Sequence, residues 1–235
     1  MRLSPFSPSF QIRPALARLA EGMAALAYPS LCYGCEVRLR DPRDALCPSC
    51  LRGLPRADRG SAAALFEASP VDHVVAVWAF DAGGTVRRVQ HALKYGGRPV
   101  LGRQLGRLIG AAVRETGATP DGVVPLPLAR LRQLERGYNQ AEALAAGVAQ
   151  ALDRPVLNVL IRTRATLRQA TLSAEARRHN VDGAFQLAAG AEVRGQRLLL
   201  VDDVITTGAT VDAAARPLLA AGARVDVAAL SLAGT

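Results

Sequence analysis

At 235 residues, half of them hydrophobic and 21% charged, the chain has the length for one ordinary core plus a small module, and its composition is that of a soluble globular protein, not a disordered or fibrous one. No apolar run approaches the roughly 20 residues that a bilayer-spanning helix needs, so no transmembrane segment is expected. A formal charge of +9 favours anionic partners such as phosphates, nucleotides or nucleic acid, or else reflects a chain rich in Arg and Ala throughout.

Residues 1–28 form an N-terminal segment. Within it Ile12 to Tyr28 carries Arg13, Arg18 and Glu21 inside an apolar stretch, which reads as an amphipathic helix and not as a secretory signal. Residues 29–55 hold all four cysteines. Cys32–Cys35 and Cys47–Cys50 are CxxC units separated by eleven residues. Four thiolates in that spacing suit a tetrahedral Zn2+ in a closed structural site. An iron–sulfur centre and a redox dithiol are the alternatives. Metal-type pairing with no cysteine left over fits a reducing, cytoplasmic compartment. Few apolar groups lie nearby in sequence, so the module is expected to need its metal to order. Residues 56–70 read as a linker.

Residues 71–235 read as the main domain. Val71 to Phe80 is a β-rich run. Thr85 to Tyr95 and Gly102 to Glu115 have helical periodicity, with a break at Gly96-Gly97. Gly122 to Leu128 is an apolar strand. Asn139 to Leu152 is a helix with Asn139 as N-cap and Glu142 three residues on, a capping-box signature. Val156 to Ile161 is a strand, Thr163 to Asn180 a long polar segment, and Leu198 to Val201 a buried strand. Ala209 to Ala221 is a helix ended by Gly222, and Arg224 to Leu232 a last strand. Strand and helix alternate, which predicts an α/β fold: a parallel sheet with helices on both faces.

The stretch from Leu198 to Thr210 carries the clearest chemistry. Four apolar residues end at Asp202-Asp203, and Thr206-Thr207-Gly208-Ala209-Thr210 then leads into a helix. Ligands of open α/β sheets bind beyond the carboxyl ends of strands, and a helix N-terminus there aims amides and a positive dipole end at an anion. The threonines add hydroxyl donors and Gly208 permits close backbone approach. Two carboxylates would repel a phosphate, so they suit neighbouring ribose hydroxyls, with Mg2+ offsetting their charge. Arg130, Arg132 and Arg136 precede the capped helix and suit a pyrophosphate, or form a solvated basic loop. Arg162, Arg164, Gln169, Arg177, Arg178 and Asn180 lie in the long polar segment, which either closes over a diphosphate or is a surface excursion. Lys94 is the only lysine in the chain. Among so many arginines it points to a place wanting a compact ammonium, or is a chance survivor.

LLLVDDVITTGAT at 198–210 resembles the phosphoribosyl pyrophosphate motif of type I phosphoribosyltransferases. The resemblance implies ribose contacts at Asp202 and Asp203 and a 5-phosphate cradle over Thr206, Thr207, Gly208, Ala209 and Thr210. With the paired CxxC units, HALKYGG at 91–97, VVPLPLARLRQLERGYNQA at 123–141 and RTRATLRQATLSAEARRHNVDGAF at 162–185, the chain resembles the competence protein F (ComF) family over residues 30–230. Tyr138 stands where that family more often has Phe. The resemblance implies a type I phosphoribosyltransferase domain behind a zinc ribbon, and a role in DNA uptake during natural transformation.

Two functional readings stay open. One is a transferase that uses phosphoribosyl pyrophosphate and Mg2+. In it Asp202 and Asp203 hold the ribose, Arg130, Arg132 and Arg136 the pyrophosphate, and Lys94 neutralises leaving-group charge. The other is a non-catalytic phosphoribosyl sensor that grips single-stranded DNA or proteins of DNA uptake and recombination. No acceptor-binding hood is visible, and Tyr33, Tyr95, Tyr138 and Trp78 are the few aromatic candidates for stacking. His73, His91 and His179 are scattered and suit core or surface roles. The sequence carries no sign of oligomeric state.

Overall fold

The computed structural model describes residues 30–41, 44–67, 69–81, 83–163 and 183–233. The expected N-terminal helix and the polar segment from 164 to 182 lie outside the described residues. The elements in chain order are α1 (Pro48–Gly53), α2 (Arg59–Ala64), β1 (Val74–Ala79), α3 (Thr85–Tyr95), α4 (Pro99–Glu115), β2 (Gly122–Pro125), α5 (Arg130–Arg136), α6 (Gln140–Leu152), β3 (Leu160–Arg162), β4 (Phe185–Leu187), β5 (Arg197–Ile205), α7 (Ala209–Ala220) and β6 (Arg224–Leu232).

Four strands form a parallel sheet in the order β1-β6-β5-β2. The central strands β5 and β6 are covered on both faces, so they read as near-continuous apolar runs and not as alternating ones. Strand alternation sends Leu199, Val201, Ala228 and Leu230 to one side, into a core built with α3, α4 and α6. Leu198, Leu200, Val225 and Val227 face the other side, against α7 and the aromatic rings of Phe66 and Phe185. The expected fold class, a parallel sheet flanked by helices, is what forms.

On the first face α4 and α6 cross so closely that only glycine fits at the contact. A methyl group at Gly106 would collide with the Leu144 carbonyl, and one at Gly147 with that of Arg103. The helix expected from Gly102 begins three residues earlier, with Pro99 in its first turn, where a missing N–H costs nothing.

Some elements depart from expectation. Val156 touches the main sheet through a single parallel bridge to Val123, and the strand that follows, β3, pairs instead with β4 as a separate antiparallel ribbon. Helix α5 occupies the arginine-rich stretch, where no helix is expected from the sequence. Arg59–Ala64, inside the segment read as a linker, forms α2, whose N-cap Asp58 accepts from the Ser61 amide at 2.7 Å. The chain just before it adds to the edge of β1, with Ala79 N donating to Pro55 O at 2.9 Å and Ala57 N to Val77 O at 3.2 Å. The cysteine module is not poor in apolar neighbours either. Cys32, Leu39, Ala45, Leu46 and Leu54 are buried in the same core as α3 and α4.

Candidate active site

Strand β5 does not stop at the two aspartates. It runs through both, with Asp202 opposite Ala229 and Val204 opposite Ser231, so the carboxylates are held by ladder hydrogen bonds and not by a loop. The chain then turns through Thr206 and Thr207 to Gly208, the N-cap of α7, at φ 74°. A side chain there would be strained by that φ and would press on the Phe66 ring at 3.0 Å, which explains the glycine.

The turn, the two aspartates and three other elements enclose a cavity of about 200 Å³. Its walls are Asp202, Asp203, Val204, Ile205, Thr206, Gly208, Thr210 and Val211 from β5, the turn after it and α7, and Leu126, Pro127, Leu128, Arg132, Arg136 and Gln140 from the chain after β2, α5 and α6. Lys94 enters from α3 and Arg162 from β3. Of the residues singled out in the sequence, Lys94, Arg132, Arg136, Arg162, Asp202, Asp203, Thr206, Gly208 and Thr210 therefore meet in one place. Thr207 and Ala209 belong to the same turn but are not part of the wall, and Arg130, the first residue of α5, is exposed outside it.

The alternation of β5 separates the neighbouring aspartates. Asp203 follows Leu199 and Val201 toward α3 and α6. There Lys94 Nζ lies 2.6 Å from Oδ2, and Gln140 Nε2 donates to Oδ1 at 3.1 Å. Gln140 in turn accepts from Arg136 Nη1 at 2.8 Å. Burial works to raise the Asp203 carboxyl, but Lys94, Gln140 and the bonded neighbour outweigh it and hold it below the usual carboxylate range. Burial likewise opposes the charge on Lys94, and Asp203 more than restores it. Among the described residues no cation is paired with Asp202, and Lys94 acts on it less than on Asp203. Asp202 Oδ1 accepts from the Asp203 amide at 2.7 Å, yet burial and the adjacent negative charge push the carboxyl well above the usual range. The Arg162 guanidinium is lowered first by burial and then by Arg132, so two cations share one wall of the cavity. Such a wall favours a polyanion.

Two contributors were not legible. Gln140 follows the Asn139 N-cap, whose Oδ1 accepts from Ala141 N at 3.0 Å, and nothing in that run distinguishes it from a first-turn helix residue. Gln90 sits on α3 where a polar residue suggests solvent, but it is buried and donates to Asp203 O at 3.3 Å and to Ser231 Oγ.

The four cysteine sulfurs lie within 4.8 Å of one another. Thiolates about 2.3 Å from a tetrahedral Zn2+ would stand about 3.8 Å apart, and Cys35 Sγ lies 3.7 Å from Cys47 Sγ. Backbone amides already point at two of the sulfurs. Gly34 N and Cys47 N each donate to Cys32 Sγ at 3.3 Å, and Cys50 N donates to Cys47 Sγ at 3.4 Å. The four sulfurs are close enough together that they could hold one metal ion.

Residues 138–233 match the phosphoribosyl transferase domain family. The DNA utilization protein YhgH of Escherichia coli is 34% identical over 218 residues, covering 89% of this chain and 93% of that protein. Competence protein F of Haemophilus influenzae is 43% identical over 119 residues, and that alignment spans about half of each chain, 48% of this one and 52% of the other. Among solved structures, the allosteric regulatory enzyme of purine biosynthesis aligns with a TM-score of 0.40 and 24% identity, over 59% of this chain and 29% of that one.

Proposed function

The chain belongs to the competence protein F (ComF) family, and from that premise we propose that its cavity binds phosphoribosyl pyrophosphate with Mg2+ and supports phosphoribosyl transfer in the service of DNA uptake. Its domain is of the type I phosphoribosyltransferase kind, with a cysteine cluster near the N-terminus. The observation that carries the proposal is the meeting of Asp202-Asp203 and the Thr206–Thr210 turn with Lys94, Arg132, Arg136 and Arg162 around one cavity.

In this reading the ribose 5-phosphate sits at the N-terminus of α7, against Thr206, Gly208 and Thr210. Asp203, kept ionised by Lys94, accepts a hydrogen bond from a ribose hydroxyl. Asp202, whose environment favours the protonated form, serves its neighbour as donor or acceptor. Attack on ribose C1 forms a bond to the acceptor and breaks the C1–O bond to pyrophosphate, which leaves with the electron pair. Arg132, Arg136 and Arg162 stand where that charge develops. Lys94 is already committed to Asp203, so its role is to hold that carboxylate charged, not to meet the leaving group. Mg2+, when bound, would neutralise diphosphate charge, and Asp202 and Asp203 are oxygen donors of the hard kind it takes. The four cysteines would hold a structural Zn2+.

Calorimetric titration with phosphoribosyl pyrophosphate, with and without Mg2+, tests the binding step. Saturable binding that Asp203→Asn weakens supports the proposal, and equal binding by wild type and variant would place the ligand elsewhere. Release of pyrophosphate in the presence of acceptors distinguishes a transferase from a sensor that only binds.

A further inference from the structure

Gln140 touches both halves of the charged network that lines the cavity. Helix α5 ends at Gly137, which takes the left-handed conformation at φ 76°, and the chain turns through Tyr138 to Asn139, the N-cap of α6. Asn139 is buried and anchors that turn, donating through Nδ2 to Leu126 O at 3.1 Å and accepting from Ala141 N at 3.0 Å. Arg136 and Gln140 thus stand on different helices and meet across the turn, with Nη1 donating to Oε1 at 2.8 Å. The other end of the same amide, Nε2, donates to Asp203 Oδ1 at 3.1 Å. Arg136, Gln140 and Asp203 all line the cavity.

The residue type follows from those two neighbours. A guanidinium only donates and an ionised carboxylate only accepts, so a side chain between them must accept at one end and donate at the other. The amide satisfies both in one orientation alone, because its reverse would set a carbonyl oxygen against Asp203 and an NH2 group against Arg136. A carboxylate at this position would oppose Asp203, and an apolar chain would serve neither neighbour. Gln90 differs. It is buried as well, but it bonds the Asp203 carbonyl and Ser231 Oγ and is not part of the cavity wall, so it holds the strand and not the carboxylate. Gln140 commits both ends of its amide to charged groups that face the ligand. The Arg136 fork keeps further N–H groups for an anion while Nη1 holds Gln140. Hydrogen bonds in series at a buried site also polarise and strengthen one another.

We propose that Gln140 is a positioning residue that couples the two halves of the ligand: an anion held by Arg136 fixes Gln140, and Gln140 then fixes Asp203 for a ribose hydroxyl. The coupling rests on the reading of the cavity as a phosphoribosyl site. It goes further by making the cavity selective for a ligand that carries a ribose phosphate and a diphosphate together. Each half orders the site for the other, and no backbone movement is required.

The experiment uses the full chain and the separate halves of the ligand, ribose 5-phosphate and inorganic pyrophosphate, in calorimetry at one fixed Mg2+ concentration. Ribose 5-phosphate is titrated alone and again with pyrophosphate saturating, and the ratio of the two dissociation constants is the coupling factor. In wild type pyrophosphate should tighten ribose 5-phosphate about fivefold or more, and by reciprocity ribose 5-phosphate should tighten pyrophosphate equally. Gln140→Met removes both hydrogen bonds, and Gln140→Glu removes the donor to Asp203. In either variant the factor should fall toward unity. A general loosening of the pocket weakens each half alone and cancels in the ratio, so a merely structural role for Gln140 leaves the factor where it was. A wild-type factor at or below unity, which needs no variant to fold, or a factor that either folded variant retains, overturns the coupling. Phosphoribosyl pyrophosphate is titrated as well. If it binds wild type and the two halves together do not, the coupling is overturned while the proposed function stands. If none of the three binds, the proposed function itself fails.

Discussion

Replacing Lys94 with Met removes one charge from the cavity while nearly conserving side-chain length, and its consequence can be worked from the structure. The ammonium is 2.6 Å from an Asp203 carboxylate whose side chain is 5% exposed. Removing one partner of a buried pair typically costs about 3–5 kcal/mol, because the other charge is stranded. Here Lys94 is itself 21% exposed and Gln140 goes on donating to Asp203, so a smaller loss of about 2–4 kcal/mol is expected. For a chain of this size that lowers the melting temperature by roughly 5–15 °C. The pH dependence gives the sharper test. In the wild type Asp203 is held below its ordinary value of 3.8, so its contribution is present above that pH and lost only as pH falls through the lowered value. Lys94 is raised above 10.5, so its contribution is complete below that pH and lost as pH rises further. Between those limits the wild-type pair is indifferent to pH. In Lys94→Met the buried Asp203 faces Asp202 with no cation, so its carboxyl is pushed up and penalises the folded state increasingly as pH rises. The deficit should be large at pH 8 and shrink toward pH 5, and Lys94→Met/Asp203→Asn should recover most of it. Melting curves across that range decide the matter. A deficit that does not change with pH, or that Asp203→Asn leaves in place, would refute the account of this pair.

Asp202→Asn should act in the opposite sense on stability. The raised carboxyl burdens the folded state above its ordinary pH range, so the variant should melt higher than wild type at pH 7 and equally at pH 3 to 4, while losing affinity for ligands with free ribose hydroxyls. Metal analysis should find about one Zn2+ per chain, and chelation should loosen residues 30–54 together with the face of the core they share with α3, a change that hydrogen exchange would detect. Thr206→Val deletes a hydroxyl on the cavity wall and should weaken phosphoribosyl pyrophosphate about tenfold or more, as loss of a hydrogen bond to a charged group does. Thr207→Val, outside the wall, should cost less, and calorimetry that reversed this order would move the phosphate cradle.

The main sheet was readable because its strands are buried on both faces. LLLV before Asp202 has little use except in the middle of a parallel sheet, and the Asn139 cap fixed the start of α6 to within a residue. Where a signal depends on partners far away in sequence, the reading was poorer. Three-residue β3 and β4 become strands only by pairing with each other across more than twenty residues, a contact that neither encodes locally. Helix α5 was missed for a different reason. Its apolar residues, Leu131 and Leu134, have helical spacing but are 66% and 73% exposed, so no buried stripe distinguishes the helix from a basic loop. In the site, the residues visible in advance were those whose type announces charge and those of the threonine-glycine turn. Gln90 and Gln140, which orient Asp203 without bearing charge, look like ordinary polar helix residues.

The two adjacent aspartates show why the run of β5 through the site matters. In a loop, neighbouring carboxylates would share an environment and repel each other until one moved away. In a strand consecutive side chains leave on opposite faces, so although both carboxyls reach the same cavity and act on each other, each meets different neighbours behind it. Asp203 is delivered to the side where α3 and α6 supply Lys94 and Gln140, and it ionises easily. Asp202 is delivered to the side lined by α7, where no cation among the described residues is paired with it, and it resists ionisation. The same chemical group thus acquires opposite protonation preferences one residue apart, an arrangement that separates acid and base roles at functional sites. Backbone geometry sets this difference, and helix α3 maintains it. That helix bonds to the cysteine module at its first turns, through Arg88 donating to Tyr33 O at 2.7 Å and Gly34 O at 3.1 Å, and reaches Asp203 at its last. The cavity's carboxylates and the cysteine cluster are therefore joined by one helix, which meets the cysteine module at its first turns and Asp203 at its last.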